Sequence, residues 1–371
     1  MEDQTKYPIF CPMITPTDHG GGIKSTISLL NGLQSLGHQV TVVVPKHCSY
    51  LTKLHPNSTV LFFESNPKIA LMKPLSYIQL CLWIKGQFKK FHKNTCYLCS
   101  DRPALMLALF LPKTTSLMYV SRGWFYTNWS ARYLRWLLFP KVNVFVGISQ
   151  KQFELMQRYA LPKAKVYLVE NGFTLNSTPY IPFQNECIQL ALIGGICERK
   201  NQAQAIALIQ LLKEQYPVKL LIYGLPTSIE DRKYQLKIEH LIAQNHLEDY
   251  IEFRGYETNL DHIYQQVDIV LSTATEEGFG RTLIEAMSYG IPVIASASSG
   301  GPSMIISHLS NGLLYDGSLR DLVAKTSLLI GDYTLRSNII TKALAQVKSN
   351  YSEQLMAEKY SNIIEYGITK D

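Results

Sequence analysis

Apolar residues fall in short runs along the chain, separated by longer stretches in which they recur at helical spacing. Ile9–Ile14 is the first run. His19-Gly20-Gly21-Gly22 follows as a turn, Ile23–Leu36 carries apolar residues with helical period, Gly37-His38 closes it, and Val40–Val44 is β-branched. Strand, Gly turn, helix, Gly stop and strand predict a βαβ unit. Val60–Phe63, Thr95–Cys99, Leu117–Val120 and Val142–Gly147 read as further strands. Helical stretches separate them, as a parallel doubly wound sheet requires.

A second series begins after Asn171-Gly172. Its strands are Gln189–Ile193, Val218–Tyr223, Ile251–Phe253, Ile269–Ser272, Val293–Ala295 and Gly312–Tyr315, with helices over Gln202–Gln215 and Glu230–Asn245. Pro179 and Pro182 mark the connection. The expected organisation is an N-terminal Rossmann-like domain over 1–175, a second over 188–350, and a C-terminal helix in 351–371 packing back towards the first. Two such α/β domains facing one cleft place the active site at the carboxyl ends of their strands.

Length agrees with this division, because 371 residues exceed the roughly 250–300 at which one core stops growing. Met1–Pro8 is polar and does not read as a signal peptide. The longest apolar run, Ala104–Leu111, falls far short of the ~20 residues that span a bilayer. A soluble, cytoplasmic protein is therefore expected. Cys96 and Cys99 form a lone C-x-x-C inside an apolar run, which reads as a buried strand and not as a redox or zinc motif.

Charge changes the picture only when the chain is halved. Residues 1–180 hold 20 Lys+Arg against 7 Asp+Glu, and residues 181–371 hold 16 against 22. The N-terminal half should attract something acidic. Within it, Leu71–Lys93 and Ser130–Lys141 mix Leu, Trp and Phe with Lys and Arg. Such segments suit peripheral contact with an anionic membrane surface, on the inner face of the cytoplasmic membrane, or else half-buried helices with snorkelling lysines. No nucleic-acid motif accompanies the charge, so nucleic acid is not an expected partner.

The candidate chemistry lies where the strand Ile269–Ser272 runs into Glu276-Glu277-Gly278-Phe279-Gly280 and a helix begins near Arg281. Glycines let backbone approach a ligand, and the free N–H groups of a new helix favour an anion. Glu277 sits at the mouth of the turn, with Glu285 one turn into the helix on the same side. Alone, two glutamates eight apart would read as a solvated helix face.

Glu277-Gly-Phe-Gly280, four further residues, then Glu285-Ala-Met287 resembles the signature of family-4 retaining glycosyltransferases of the GT-B fold. The resemblance extends to Gly20-Gly21-Gly22, Glu170-Asn171-Gly172, Leu192 through Asn201, Leu221-Ile-Tyr-Gly224, Phe253-Arg-Gly255, Tyr264 through Val270, Gly300-Gly-Pro-Ser303 and Asn311 through Tyr315. It implies an α/β fold of two Rossmann-like domains and a hexosyltransferase that uses a nucleotide diphosphate sugar, UDP- or GDP-linked. Glu277 would contact the transferred sugar, Glu285 the ribose hydroxyls, and Lys200 the donor diphosphate, with Gly194 beside it. Gly278, Phe279, Gly280, Arg281 and Thr282 would hold the distal phosphate. Phe253, Arg254 and Tyr256 would border the base, and Gly21 and Gly22 would let the first domain approach phosphates or acceptor.

Two positions depart from the family. Gly195 stands where an Arg is usual, and Arg199 is expected to supply that charge. Arg122 stands where many members carry a His near the reacting carbon; always charged, it cannot be a neutral base. It is expected either to bind an anionic acceptor or phosphate, or to make a structural ion pair. No Asp/His cluster marks the signature loop, so no obligatory cofactor or metal is expected. The acceptor expected is a glycan or lipid-linked acidic molecule of bacterial envelope polysaccharide or lipopolysaccharide synthesis. A sugar-nucleotide epimerase and a non-catalytic scaffold partner on the same fold are the alternatives.

Overall fold

The computed structural model describes residues 6–16, 21–63, 74–91, 94–112, 115–122, 136–173, 180–184 and 186–367. His19, Gly20, Trp124 and Arg132 lie outside the described residues, as do Lys73 and Lys93. The chain divides into two compact units, residues 1–174 with 351–371, and residues 175–350.

The first unit is built on a parallel sheet of β1 (Ile9–Pro12), β2 (Val40–Pro45), β3 (Thr59–Phe63), β4 (Cys96–Cys99), β5 (Ser116–Ser121), β6 (Val144–Gly147) and β7 (Lys165–Leu168). Their order is β3-β2-β1-β4-β5-β6-β7. The direction of winding reverses between β1 and β4, so the carboxyl ends of those strands flank the switch point. Helix α1 (Gly21–Ser35) connects β1 to β2; α2 (Pro74–Phe88), α3 (Arg102–Leu107) and α4 (Gln150–Tyr159) follow. Inner strands such as Val40–Pro45 are buried at every position, which is why they read as unbroken apolar runs. The core is aromatic: the Phe10 ring lies 5.3 Å from Phe88, 5.3 Å from Phe91 and 5.9 Å from Tyr97. Cys96 and Cys99 are fully buried in β4, and burial pushes the Cys96 thiol up to about 12. Neither can supply a thiolate near neutral pH.

The chain returns to this unit after Asn350. Phe173 N–H donates to the Tyr351 carbonyl at 2.8 Å, and Glu353 N–H to the Phe173 carbonyl at 3.1 Å. A last α-helix in 353–362 then lies along α1, where a Cβ on Gly32 would stand 2.6 Å from that of Ala357. His38, fully buried, bridges the Tyr7 carbonyl and the Ser361 hydroxyl at 2.9 and 2.8 Å.

The second unit carries β8 (Ile188–Ile193), β9 (Val218–Tyr223), β10 (Ile251–Gly255), β11 (Ile269–Ser272), β12 (Val293–Ser296) and β13 (Leu313–Tyr315), all parallel in the order β10-β9-β8-β11-β12-β13. Its helices are α5 (Gln202–Leu212), α6 (Ile229–Gln244), α7 (Leu260–Tyr264), α8 (Arg281–Ser288), α9 (Pro302–Ile305), α10 (Leu319–Gly331) and α11 (Tyr333–Asn350); the returning helix of the first unit, Glu353–Asn362, is α12. Leu190, Leu220, Ile222, Ile238, Ile269 and Ile294 form the centre of one buried cluster. The buried Asp268 carboxylate accepts from Gln189 N–H at 2.7 Å and from Phe183 N–H, tying the incoming chain to β8. Again the winding reverses between β8 and β11.

Candidate active site

The switch point of the second unit gathers most of the residues singled out in the sequence. Strand β8 leads into Gly194, whose φ of +148° falls where a side chain is rarely tolerated. The chain then makes a tight turn over Glu198–Lys200, and Asn201 takes the left-handed conformation at φ 51° before α5 starts. This brings Lys200 back over the glycine: a Cβ on Gly194 would meet Lys200 Cε at 3.2 Å. The Thr273 hydroxyl, just past β11, lies 3.0 Å from the carbonyls of both Lys200 and Asn201. Adjacent strand ends are thereby joined.

Past Thr273 the chain forms the glycine turn. Lys200 Nζ meets Glu277 Oε2 at 2.5 Å, with side-chain exposures of 20% and 17%. Gly301 packs against the far side, its N–H donating to the Glu277 carbonyl at 2.8 Å. A Cβ there would stand 2.7 Å from both the Glu277 oxygen and the Phe279 nitrogen. Gly280, at φ +97°, turns the chain into α8, whose first turn has no capping side chain and no acidic residue. Its backbone N–H groups are therefore suited to an anion.

Glu285 lies within the second turn of α8 and is 8% exposed. Arg281 Nε donates to its Oε1 at 2.6 Å, and the Tyr264 phenol to its Oε2 at 3.2 Å. Burial, then the Glu285 carboxylate, hold the Tyr264 pKa well above its ordinary value, so that hydroxyl stays a donor.

Lys200, Gly194, Glu277, Gly278, Phe279, Gly280, Arg281, Thr282 and Glu285 thus occupy one place. Arg199, expected to supply the charge absent at Gly195, stands beside the glycine turn. Its guanidinium donates to the Glu276 carbonyl at 2.6 Å, while its own carbonyl accepts from Thr275 N–H at 3.0 Å. It braces the glycine turn from outside. Beside Gly195 an added Cβ would find only the Leu225 oxygen, at 3.7 Å.

Phe253, Arg254 and Tyr256 stand on or just after the edge strand β10, separated from β11 by β9 and β8. Phe253 packs on the core and Arg254 Nε pairs with Glu252 at 3.0 Å. Gly224 N–H donates to the Gly255 carbonyl at 2.6 Å. Gly21, Gly22 and Arg122 belong to the first unit. There the Arg122 stem covers Gly22, its Cδ 3.7 Å from where a Cβ would stand, and its Nη1 donates to Asn171 Oδ1.

Tyr264, Thr273 and Gly301 were not singled out as site residues. Tyr264 and Gly301 lay inside segments that shaped the resemblance. For Thr273 the available signal was a small hydroxyl residue directly after a buried strand. No group of three His, Cys, Asp or Glu side chains placed to hold a metal occurs among the described residues.

Known proteins share the family models and the fold of this chain. Residues 182–346 match the family model described as Glycosyl transferases group 1, and residues 19–177 that described as Glycosyltransferase Family 4. Poly(ribitol-phosphate) alpha-N-acetylglucosaminyltransferase of Staphylococcus aureus is 29% identical over 201 residues, 53% of this chain and 40% of its own length. Amylovoran biosynthesis glycosyltransferase AmsD of Erwinia amylovora is 25% identical, over 91% of this chain and 97% of its own. The chain covers only 40%, 58% and 35% of three of the curated relatives it matches. Among solved structures, Anabaena HepE in complex with UDP and glucose superposes with a TM-score of 0.81 at 17% identity, covering 97% of this chain and all of that one. Staphylococcus aureus TarM, solved with UDP and alpha-GlcNAc-glycerol, gives 0.76 at 16%, covering 96% and 99%.

Proposed function

The chain belongs to the family-4-like glycosyltransferases of the GT-B fold, and we propose that it moves a hexose from a nucleoside diphosphate sugar to a glycan or lipid-linked acceptor, with retention of anomeric configuration. The observation that carries this is the Lys200–Glu277 pair above a glycine turn that opens into an uncapped helix. In this reading the N–H groups at the start of α8 take the distal phosphate. Lys200 offsets the charge that develops on the diphosphate as the glycosidic bond breaks. Glu277 orients the sugar hydroxyls, and Glu285, fixed by Arg281 and Tyr264, accepts from the ribose. The acceptor proton passes to the leaving phosphate on the same face, so Glu277 is a positioning and charge-stabilising group. A double displacement through paired carboxylates would need two acids flanking one bond; a Glu285 engaged with ribose does not serve that.

UDP is the first nucleotide to test, because the HepE and TarM structures hold it; GDP is the second. No divalent ion is part of the reading. The acceptor is assigned to envelope polysaccharide or lipopolysaccharide assembly on the strength of the relatives, which include AmsD and a lipopolysaccharide core biosynthesis glycosyltransferase, LpsD. No helix is long and apolar enough to cross a membrane among the described residues. Contact with an anionic bilayer is proposed through the first unit, where Ile78, Leu82 and Trp136 are 44%, 55% and 72% exposed on the basic segments.

The test is thermal unfolding against UDP, GDP, ADP and dTDP, with and without EDTA. A ligand at ~100 times its Kd adds about 2.7 kcal/mol to folded stability. One nucleotide should raise the midpoint in either buffer, and Glu285→Ala should lose the shift. If none stabilises the folded protein, donor binding is refuted and the non-catalytic alternative stands. If acceptor-free enzyme inverts a centre in the donor sugar, it is an epimerase.

A further inference from the structure

We propose that Glu277 makes the site discriminate against a nucleoside diphosphate that carries no sugar, by competing with it for Lys200. This rests on the donor-site reading given above. Without ligand, the only cation against Glu277 among the described residues is Lys200, at 2.5 Å. Lys200 is in turn confined, its stem over Gly194 and its carbonyl beside the Thr273 hydroxyl. A diphosphate drawn to this ammonium brings a second negative charge alongside a carboxylate that is only 17% exposed. Like charges in a partly desolvated site repel, and a carboxylate that loses its donor there bears a desolvation cost.

The neighbouring pair differs in a way that isolates the effect. If Arg281 turns from Glu285 towards an anion, Glu285 keeps the Tyr264 phenol as a donor at 3.2 Å. Glu277 has no second side-chain donor among the described residues. A ligand that presents hydroxyl groups beside Glu277 replaces the lysine it surrenders with fixed donors, where a sugar-free ligand leaves it only water at an immobilisation cost. A sugar nucleotide does so; the nucleoside diphosphate left after transfer does not. Re-formation of the Lys200–Glu277 pair therefore helps expel the product, and the same carboxylate that receives the sugar sets the preference for a sugar-bearing ligand.

Titration of UDP, or of whichever nucleoside diphosphate stabilises the wild type, into three proteins tests this. Glu277→Gln should bind the free nucleotide about three- to tenfold more tightly than wild type, the range for a partly exposed charge pair. Glu276→Gln removes an exposed charge one residue away and should change affinity by less than about twofold. Equal or weaker binding to Glu277→Gln, with its unfolding midpoint intact, overturns the proposal. So does an equal gain in Glu276→Gln, which would show a general charge effect. If wild type and Glu277→Gln bind no nucleoside diphosphate, the donor-site reading itself fails.

Discussion

Asp101 shows how a single side chain can serve local structure at a cost to the whole. Its carboxylate caps α3, accepting from Ala104 N–H at 2.7 Å, and Arg102-Pro103 opens the helix behind it. That start is legible in the sequence, since Asp before X-Pro is a helix-entry pattern. Its burial is not, because it depends on the neighbouring strands. Burial lifts the carboxyl from 3.8 to about 6, against the pull of the Ala104 hydrogen bond. With the folded value raised, the stability that protonated Asp101 lends is fully present below the unfolded value and is lost as pH rises through about 6. The charge thus costs up to roughly 3 kcal/mol at pH 7. Asp101→Asn keeps a capping oxygen and removes the charge. Urea unfolding should find it more stable at pH 7.5 by up to about that amount, and level with wild type below pH ~4. A variant less stable at pH 7.5 would mean the ionised carboxylate is favoured where it lies. A similar division holds at the site: Glu277 and Glu285 were legible because the glycine turn between them is local. The pairings of Glu277 with Lys200 and of Glu285 with Tyr264 were not, since Lys200 lies 77 positions from Glu277 and Tyr264 lies 21 from Glu285.

Among the elements, strands buried on both faces declared themselves, as did the partly exposed edge strands β3 and β10, while β7 did not. β2 reads Val-Thr-Val-Val-Val-Pro and is wholly buried, whereas edge strand β7 reads Lys-Val-Tyr-Leu with no position buried. Four residues with a charged start carry neither an apolar run nor a clean alternation, so β7 was absent from the sequence reading. The α1–α12 contact was anticipated only as a helix packing back. Its closeness comes from Gly32, which packing alone explains. Gly32→Ala should gain about 1 kcal/mol of helix propensity yet lose about 1–3 kcal/mol to overpacking against Ala357, a net destabilisation of the first unit. In an Ala357→Gly background the same change should become neutral or stabilising, read by chemical denaturation as a double-mutant cycle. A Gly32→Ala protein at least as stable as wild type would show that the helices separate freely.

For the molecule as a whole, the sequence displayed two doubly wound series, because each βα repeat writes its own hydrophobic period into the chain. It could not display the contacts of the final helix, which are long-range and made through Phe173, Gly32 and His38 together. The uneven charge, 20 Lys+Arg against 7 Asp+Glu before residue 181, is a property of this scale too. Its expected consequence is binding to vesicles of anionic lipid that falls steeply as salt is raised towards ~0.5 M, measured by co-sedimentation. Retention that ignores salt would assign the contact to apolar insertion, and no retention would remove the membrane from the proposal.

The return of the chain to its first unit also sets a schedule for synthesis. A ribosome has made all of β1 to β7 by Leu168, but Ala357, which covers Gly32, emerges only after residues 175–350 have been translated. At about 5–20 residues per second that interval lasts roughly ten to forty seconds. The second unit, though later in sequence, has every one of its elements before the first does. The half made earliest therefore waits longest with an apolar helix face uncovered.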